Sequence, residues 1–225
     1  HTKAMIWTGK DRVYGVKLAE KKGASLIFLE DGFQQKRLYK NNEIVLLHAE
    51  DLFGKNRFLP SGYLRESPKA LKKANLIVVT YLTQSQCKKS LETRIRKYSS
   101  APIVGMTASY FLPSHLDKKK VGAFCAIAKP STFFHELGRR TNILRSFTLD
   151  DHKAICMESL RQFCLECKEL GAEALVCTEK DFVKLKSPQT LPLQVETLKM
   201  EFQCAWNENI WKEIVDSLQT KAIKC

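Results

Sequence analysis

The chain has 225 residues, 44% hydrophobic and 27% charged, with a formal net charge of +13 and a pI near 9.4. No apolar run approaches the roughly 20 residues of a helical membrane span. Its eight cysteines are too sparse for a small secreted disulfide scaffold, which favours a reducing cytosol. The positive excess favours an anionic partner (nucleic acid, a phosphorylated small molecule or an anionic membrane surface) over a merely solvated basic face.

His1-Thr2-Lys3 runs directly into the apolar stretch Ala4-Met5-Ile6-Trp7, which reads as a strand, so the chain is expected to begin inside a domain. Asp11 can cap a helix running to about Lys22, with Val13, Val16, Leu18 and Ala19 as its apolar positions and Gly23 as its stop. Ala24 to Leu29 is too short and too uniformly apolar for a typical helix and reads as a buried parallel strand. It ends in Glu30-Asp31-Gly32-Phe33-Gln34. Carboxylates at the carboxyl end of a parallel strand face the crevice where open α/β sheets bind ligands, and an apolar strand ending in acid also holds Mg²⁺ in P-loop NTPases. Asp31 is thus a candidate Mg²⁺ ligand with Glu30 beside it, against an ordinary Asp-Gly turn.

Glu43 to Leu47 reads as another strand. Leu59-Pro60-Ser61-Gly62-Tyr63-Leu64-Arg65-Glu66 then leads into Ser67-Pro68, a helix start with Ser as cap and Pro in the first turn. Arg65 and Glu66 at that mouth read either as an anion site or as a surface ion pair, and Arg12 opens its own helix in the same way. Strands at Leu76 to Val79 and Pro102 to Met106 follow. Asp117-Lys118-Lys119-Lys120 is the boundary candidate, dividing the chain into 1–120 and 121–225. Beyond it lie a strand from Val121 to Ile127, a helix from about Thr132, a helix from His152 to Leu170, strands at Ala174 to Cys177 and Leu193 to Phe202, and a helix near Asn209 to Leu218. The alternation predicts parallel sheets covered by helices.

Asp151 reads as the cap of the helix carrying Ile155, Leu160, Phe163, Cys164, Cys167 and Leu170. His152 would then sit in the first turn, where the dipole favours neutral imidazole and a proton-accepting or carboxylate-orienting role. Cys164 and Cys167 have CxxC spacing without a second ligand pair, so packing is the better reading than metal. Thr178-Glu179-Lys180-Asp181 is a site loop or a capped helix start, with Lys184 on its solvent side.

In order, these motifs resemble those of the tetraacyldisaccharide 4'-kinases, the lipid A 4'-kinases of Gram-negative bacteria. Gly9-Lys10-Asp11-Arg12, Glu30 to Gln35, Leu59 to Glu66, Phe124 to Phe134, Asp151-His152 and Thr178 to Lys184 each match a family segment. Glu30 stands where the family has Asp, Gln35 where it has His, and Ala126 where it has Gly. The family's Gly-x-x-x-x-Gly-Lys-Ser/Thr loop, and the segment with its catalytic Asp, do not occur in residues 1–225.

The resemblance implies an α/β fold: a parallel-sheet, RecA-like P-loop kinase core, N-terminally incomplete, with a smaller second α/β domain. It implies ATP and Mg²⁺ as cofactors, and transfer of the γ-phosphoryl group to the 4'-hydroxyl of a tetraacyl glucosamine disaccharide 1-phosphate. Asp31 would serve the metal with Glu30. Arg12, Gln34, Arg65 and Glu66 would line the phosphate and sugar region, and His152, oriented by Asp151, would join the catalytic Asp. The implied location is peripheral, at the cytoplasmic face of the bacterial inner membrane. A non-catalytic basic module for nucleic acid is the rival reading. It lacks basic residues interleaved with clustered aromatics and lacks zinc-finger spacing, so no nucleic-acid partner is expected.

Overall fold

The computed structural model describes residues 4–149 and 156–223. They form two compact units. Residues 1–108 and 202–225 make the first, and 109–201 the second. The expected boundary near Lys120 therefore lies elsewhere. A long strand starting in the first unit ends in the second, another returns, and the C-terminal helix belongs to the first unit rather than closing the second.

In the first unit, α1 (Arg12–Lys21) starts where Asp11 accepts hydrogen bonds from the amides of Val13 and Tyr14. Strands β1 (Ile44–His48), β2 (Leu76–Thr80) and β3 (Ile103–Phe111) run parallel and adjacent. Every residue of β2 is buried, and its alternation divides the side chains between two layers. Ile77 and Val79 pack with Leu91 and Ile95 of α2 (Lys88–Arg96). Leu76 and Val78 pack on the other side with Ile210, Trp211 and Ile214 of the C-terminal helix. Each such side chain contributes about 1.5–3 kcal/mol relative to exposure.

The second unit repeats the plan with β4 (Lys120–Cys125), α3 (Pro130–Gly138), β5 (Asn142–Thr148), α4 (Met157–Glu169), β6 (Ala174–Thr178), α5 (Glu179–Phe182) and β7 (Val195–Trp206), the last running on into the first unit, where α6 (Glu208–Ile223) follows. Its strands lie parallel in the order β5-β4-β6-β7. Val121, Ala123 and Cys125 face Phe133 and Leu137 of α3, whereas Phe124 faces Leu160, Phe163, Cys164 and Cys167 of α4. The CxxC pair is thus packing, fully buried, and burial pushes the Cys167 thiol up to about 11. No helix among the described residues is long and apolar enough to cross a membrane.

Several expectations need correction. Ala4–Trp7 and Ala24–Leu29 form no strand, and Ile6 and Phe28 are 76% and 75% exposed. A strand needs a partner's backbone, and no strand among the described residues pairs with either segment. The helix at Pro68 is a six-residue 3₁₀ segment ending at Lys73, capped by Ser67. Helix α4 begins at Met157 after the extended residue Cys156, and the expected start at Asp151 and His152 lies outside the described residues. Two elements were missed. Helix α2 has few apolar positions, and β5 alternates only partially between exposed and half-buried residues.

Candidate functional site

The acidic segment sits on a turn rather than a strand end. Asp31 has φ +51°, a left-handed conformation that Asp tolerates better than most residues because its short side chain bonds locally. Gly32 behind it is buried, and an added Cβ there would meet the Leu29 side chain at 2.8 Å. The amide of Gln35 donates to the Gly32 carbonyl at 2.9 Å and closes the turn. Glu30 and Asp31 are exposed, and Gln34 is half-buried.

Arg65 reaches this turn from a second loop. Its Nη1 lies 3.3 Å from Asp31 Oδ2, with the side chains 55% and 69% exposed. The loop that delivers it is closed by backbone bonds. The amides of Tyr63, Gly62 and Leu64 donate to the carbonyls of Gly54, Phe58 and Arg57. Gly62 is required there, since a Cβ would lie 2.2 Å from the Arg57 carbonyl oxygen. Asp51 anchors the loop's start by accepting from the Lys55 amide, and the Lys55 ammonium stands 5.3 Å over the Tyr63 ring.

Arg12 arrives from the first turn of α1, but its contacts are not those expected of a phosphate ligand. Its Nη1 donates to the carbonyls of Glu30 at 2.7 Å and Asp31 at 3.1 Å. Sequence reading missed Lys40, whose Nζ donates to the Gly32 carbonyl at 2.8 Å and pairs with Glu43 at 2.6 Å. The signal available was the Lys-x-x-Glu spacing before β1. The structure therefore brings Arg12, Glu30, Asp31 and Arg65 together. Glu66 is half-buried in the same loop, and Asp151 and His152 lie outside the described residues.

Among the described residues no three His, Cys, Asp or Glu side chains are placed to hold a metal by themselves. Mg²⁺ usually takes one or two carboxylates and completes its octahedron with waters and substrate phosphates. Asp31 with Glu30 beside it fits that pattern and not an all-protein cage.

The second unit holds a different acid. Asp181 is 0% exposed. Its Oδ2 accepts from the Ala126 amide at 2.9 Å and from Thr178 Oγ1 at 2.7 Å, and its Oδ1 accepts from Lys184 Nζ at 3.0 Å. Lys184 is thus a partner to a buried carboxylate rather than a solvent-side residue. Thr178 also caps α5, its Oγ1 accepting from the Asp181 amide. This network ties the ends of β4 and β6 together and surrounds the buried Asp181 carboxylate with three donors. Burial, with Asp181 nearby, raises the neighbouring Cys125 thiol to about 11.

Comparison with known proteins finds a family match over most of the chain. The family model described as tetraacyldisaccharide-1-P 4'-kinase matches residues 1–219. The chain is 31% identical over 217 residues to the tetraacyldisaccharide 4'-kinase of Chlamydia muridarum, covering 90% of this chain and 58% of that protein. Against the enzyme of the same name from Desulfotalea psychrophila it is 34% identical over 203 residues, covering 84% and 58%. A crystal structure of the "apo" form of LpxK from Aquifex aeolicus in complex with ATP aligns with a TM-score of 0.65 over 91% of this chain and 62% of that one. At 24% identity that likeness speaks for the fold, which is α/β as expected. The chain spans 58% of the length of these two curated relatives.

Proposed function

The chain belongs to the tetraacyldisaccharide-1-P 4'-kinase family, and we propose that it supplies part of the machinery that moves the γ-phosphoryl group of ATP to the 4'-hydroxyl of a tetraacylated glucosamine disaccharide 1-phosphate. What supports this reading most is the pairing of Asp31 with Arg65, which joins two of the family-like motifs at one place. Phosphoryl transfer asks a protein mainly for positioning and for charge complementary to the transferring group. An exposed carboxylate beside a guanidinium offers both signs within one hydrogen-bond distance.

In this reading Asp31, with Glu30 beside it, would hold Mg²⁺, which when bound neutralises charge on the transferring phosphoryl group. Arg65 would release Asp31 to pair with a phosphate or sugar oxygen, because a guanidinium suits planar, bidentate anion recognition. Gln34 and Glu66 would contact the sugar side of the same region. Arg12 would hold the acidic turn through its carbonyls rather than line the phosphate. His152, oriented by Asp151, would accept or hold a proton at the acceptor hydroxyl. The positive excess, together with an acylated acceptor, suits work at an anionic membrane surface, on the cytoplasmic face of a bacterial inner membrane.

The test uses the protein made from its natural reading frame, ATP, Mg²⁺ and the lipid disaccharide. Asp31→Asn keeps shape and removes a negative charge. It should lower kcat by about 10²-fold or more, the scale for losing a positioned charged group at the reacting centre. Normal turnover with unchanged Mg²⁺ dependence would return Asp31 to the role of a turn residue.

A further inference from the structure

Four consecutive carbonyl oxygens of the acidic turn are held by two cationic side chains. Arg12 Nη1 takes those of Glu30 and Asp31. Lys40 Nζ takes those of Gly32 and Phe33, at 2.8 and 3.4 Å. With its third proton Lys40 pairs to Glu43 at 2.6 Å, and both side chains are only 17% exposed. We infer that Lys40 is a positioning residue for Asp31. With Glu43 it forms a clamp that fixes the turn on which the carboxylate stands, an inference that rests on the reading of Asp31 given above.

The clamp is fastened to the rigid part of the first unit. The Glu43 amide donates to Asn75 Oδ1 at 2.8 Å, and the Glu43 carbonyl accepts from the amides of Asn75 and Leu76 at 2.8 and 3.3 Å. Leu76 opens β2, the fully buried strand. A continuous chain of hydrogen bonds thus runs from β2 through Glu43 and Lys40 to the residue after Asp31. The turn needs such a hold. Asp31 is in the left-handed region at φ +51°, a conformation that persists where its surroundings determine it, and residues 24 to 35 belong to no strand.

The clamp also has a chemical consequence. A hard cation could take backbone carbonyls as readily as carboxylates, but those of residues 30 to 33 already point at the protein's own cations. The oxygens this turn leaves for an incoming cation are those of its side chains, Glu30 and Asp31. Arg12 and Lys40 together thereby favour side-chain over backbone ligation, and Lys40 fixes the turn on which the Asp31 carboxylate stands.

Removing Lys40 alone would strand Glu43 as a half-buried charge and confuse positioning with folding. Replacing both members of such a pair by apolar residues of similar size is often neutral for stability. The decisive variant is therefore Lys40→Met with Glu43→Leu, in the protein made from its natural reading frame. Three quantities are measured: the thermal midpoint, amide hydrogen exchange at Gln35 (whose N–H bonds the Gly32 carbonyl), and kcat with its Mg²⁺ dependence.

Exchange at Gln35 should accelerate at an essentially unchanged midpoint. kcat should fall by about 10- to 10²-fold, the scale of an ångström-level misplacement, with KM for ATP little altered and more Mg²⁺ needed for half-maximal rate. In an Asp31→Asn background the same pair should cost no further kcat. Unchanged Gln35 exchange and unchanged kcat would overturn the inference. Should the double variant fail to fold, Glu43→Gln keeps the shape and slackens the anchor, and unchanged exchange and kcat there would overturn it equally. A normal kcat for Asp31→Asn would sink the reading of Asp31 instead, while Gln35 exchange still judges whether Lys40 holds the turn.

Discussion

Each unit of this protein pairs an aspartate with a cationic side chain, and the two pairs are opposites. Asp181 with Lys184 is buried to 0% exposure at the carboxylate. Asp31 with Arg65 is exposed at both ends. Asp181 is buried with two further donors, whereas Asp31 has a partner that solvent or a ligand can replace. The units differ in the same sense. The first carries 23 of the 37 Lys and Arg residues but 12 of the 24 acids, a net +11 that leaves +2 for the second. A buried, hydrogen-bonded acid belongs to the fold, and an exposed one in a basic setting is available for chemistry.

The comparison breaks most visibly if Asp181 proves dispensable. Asp181→Ala leaves Lys184 unpaired and strands the buried Ala126 amide and the Thr178 hydroxyl. Losing one partner of a buried, hydrogen-bonded charge pair costs about 3–5 kcal/mol. Urea denaturation followed by a probe in the second unit should show that loss. Asp31→Ala, at 69% exposure, should move the same curve by less than about 0.5 kcal/mol. Equal effects from the two substitutions would erase the distinction.

What was legible in the sequence follows the same division. Leu76 to Val79 and Ala174 to Cys177 read correctly as strands, each one residue short of its observed end, because their neighbours lie within the described chain. Ala24 to Leu29 has the same apolar character and forms no strand, because pairing depends on a second backbone that the segment's own residues do not encode. Asp31 and Arg65 were each legible as candidates, but not their meeting, since nothing local ties residues so far apart. Arg12 was placed on phosphate because a helix start invites that reading; its turn toward two carbonyls depends on where residues 30 and 31 fold back. Asp181 carried a signal, an acid three residues after a capping Thr, that gave the cap but not the burial. Burial depends on Ala126, 55 residues away.

A smaller effect sharpens the contrast through the thiols of the second unit. Burial raises Cys125, with Asp181 adding to it, and burial raises Cys167, each to about 11 from an ordinary value of 9.0. Cys177 is raised in the same direction by burial. A folded-state pKa above the unfolded one means that the stabilising contribution is complete below pH 9 and is lost as pH rises toward 11. Each such group can contribute a slope of at most about 1.4 kcal/mol per pH unit in that window. Denaturation midpoints of the second unit should therefore hold from pH 7 to 9 and fall above it. Cys167→Ala should flatten part of that fall, and a midpoint indifferent to pH up to 11 would show that these thiols do not titrate with unfolding.

The smallest expected effect on stability is the most telling about function. Arg65→Ala removes an exposed ion pair of a kind that contributes about 0–1 kcal/mol, and the loop that carries Arg65 is closed by backbone bonds among residues 54 to 64 that do not involve its side chain. The thermal midpoint should stay within a degree or two, since about 1 kcal/mol is what shifts Tm by roughly 2–4 °C in a chain of this size. Catalysis should not be spared. If Arg65 exchanges Asp31 for an anionic oxygen of substrate, its loss removes both a phosphate contact and the counter-charge that keeps Asp31 aligned, so kcat/KM should drop well beyond what the stability change predicts. Arg65→Lys should restore the charge without the planar fork and recover only part of the loss. Full recovery by Lys would mean that charge alone matters at this position. An Arg65→Ala variant that melts early yet turns over normally would place the pair with Asp181, as a structural tie, and the contrast between the two units would fail at its central residue.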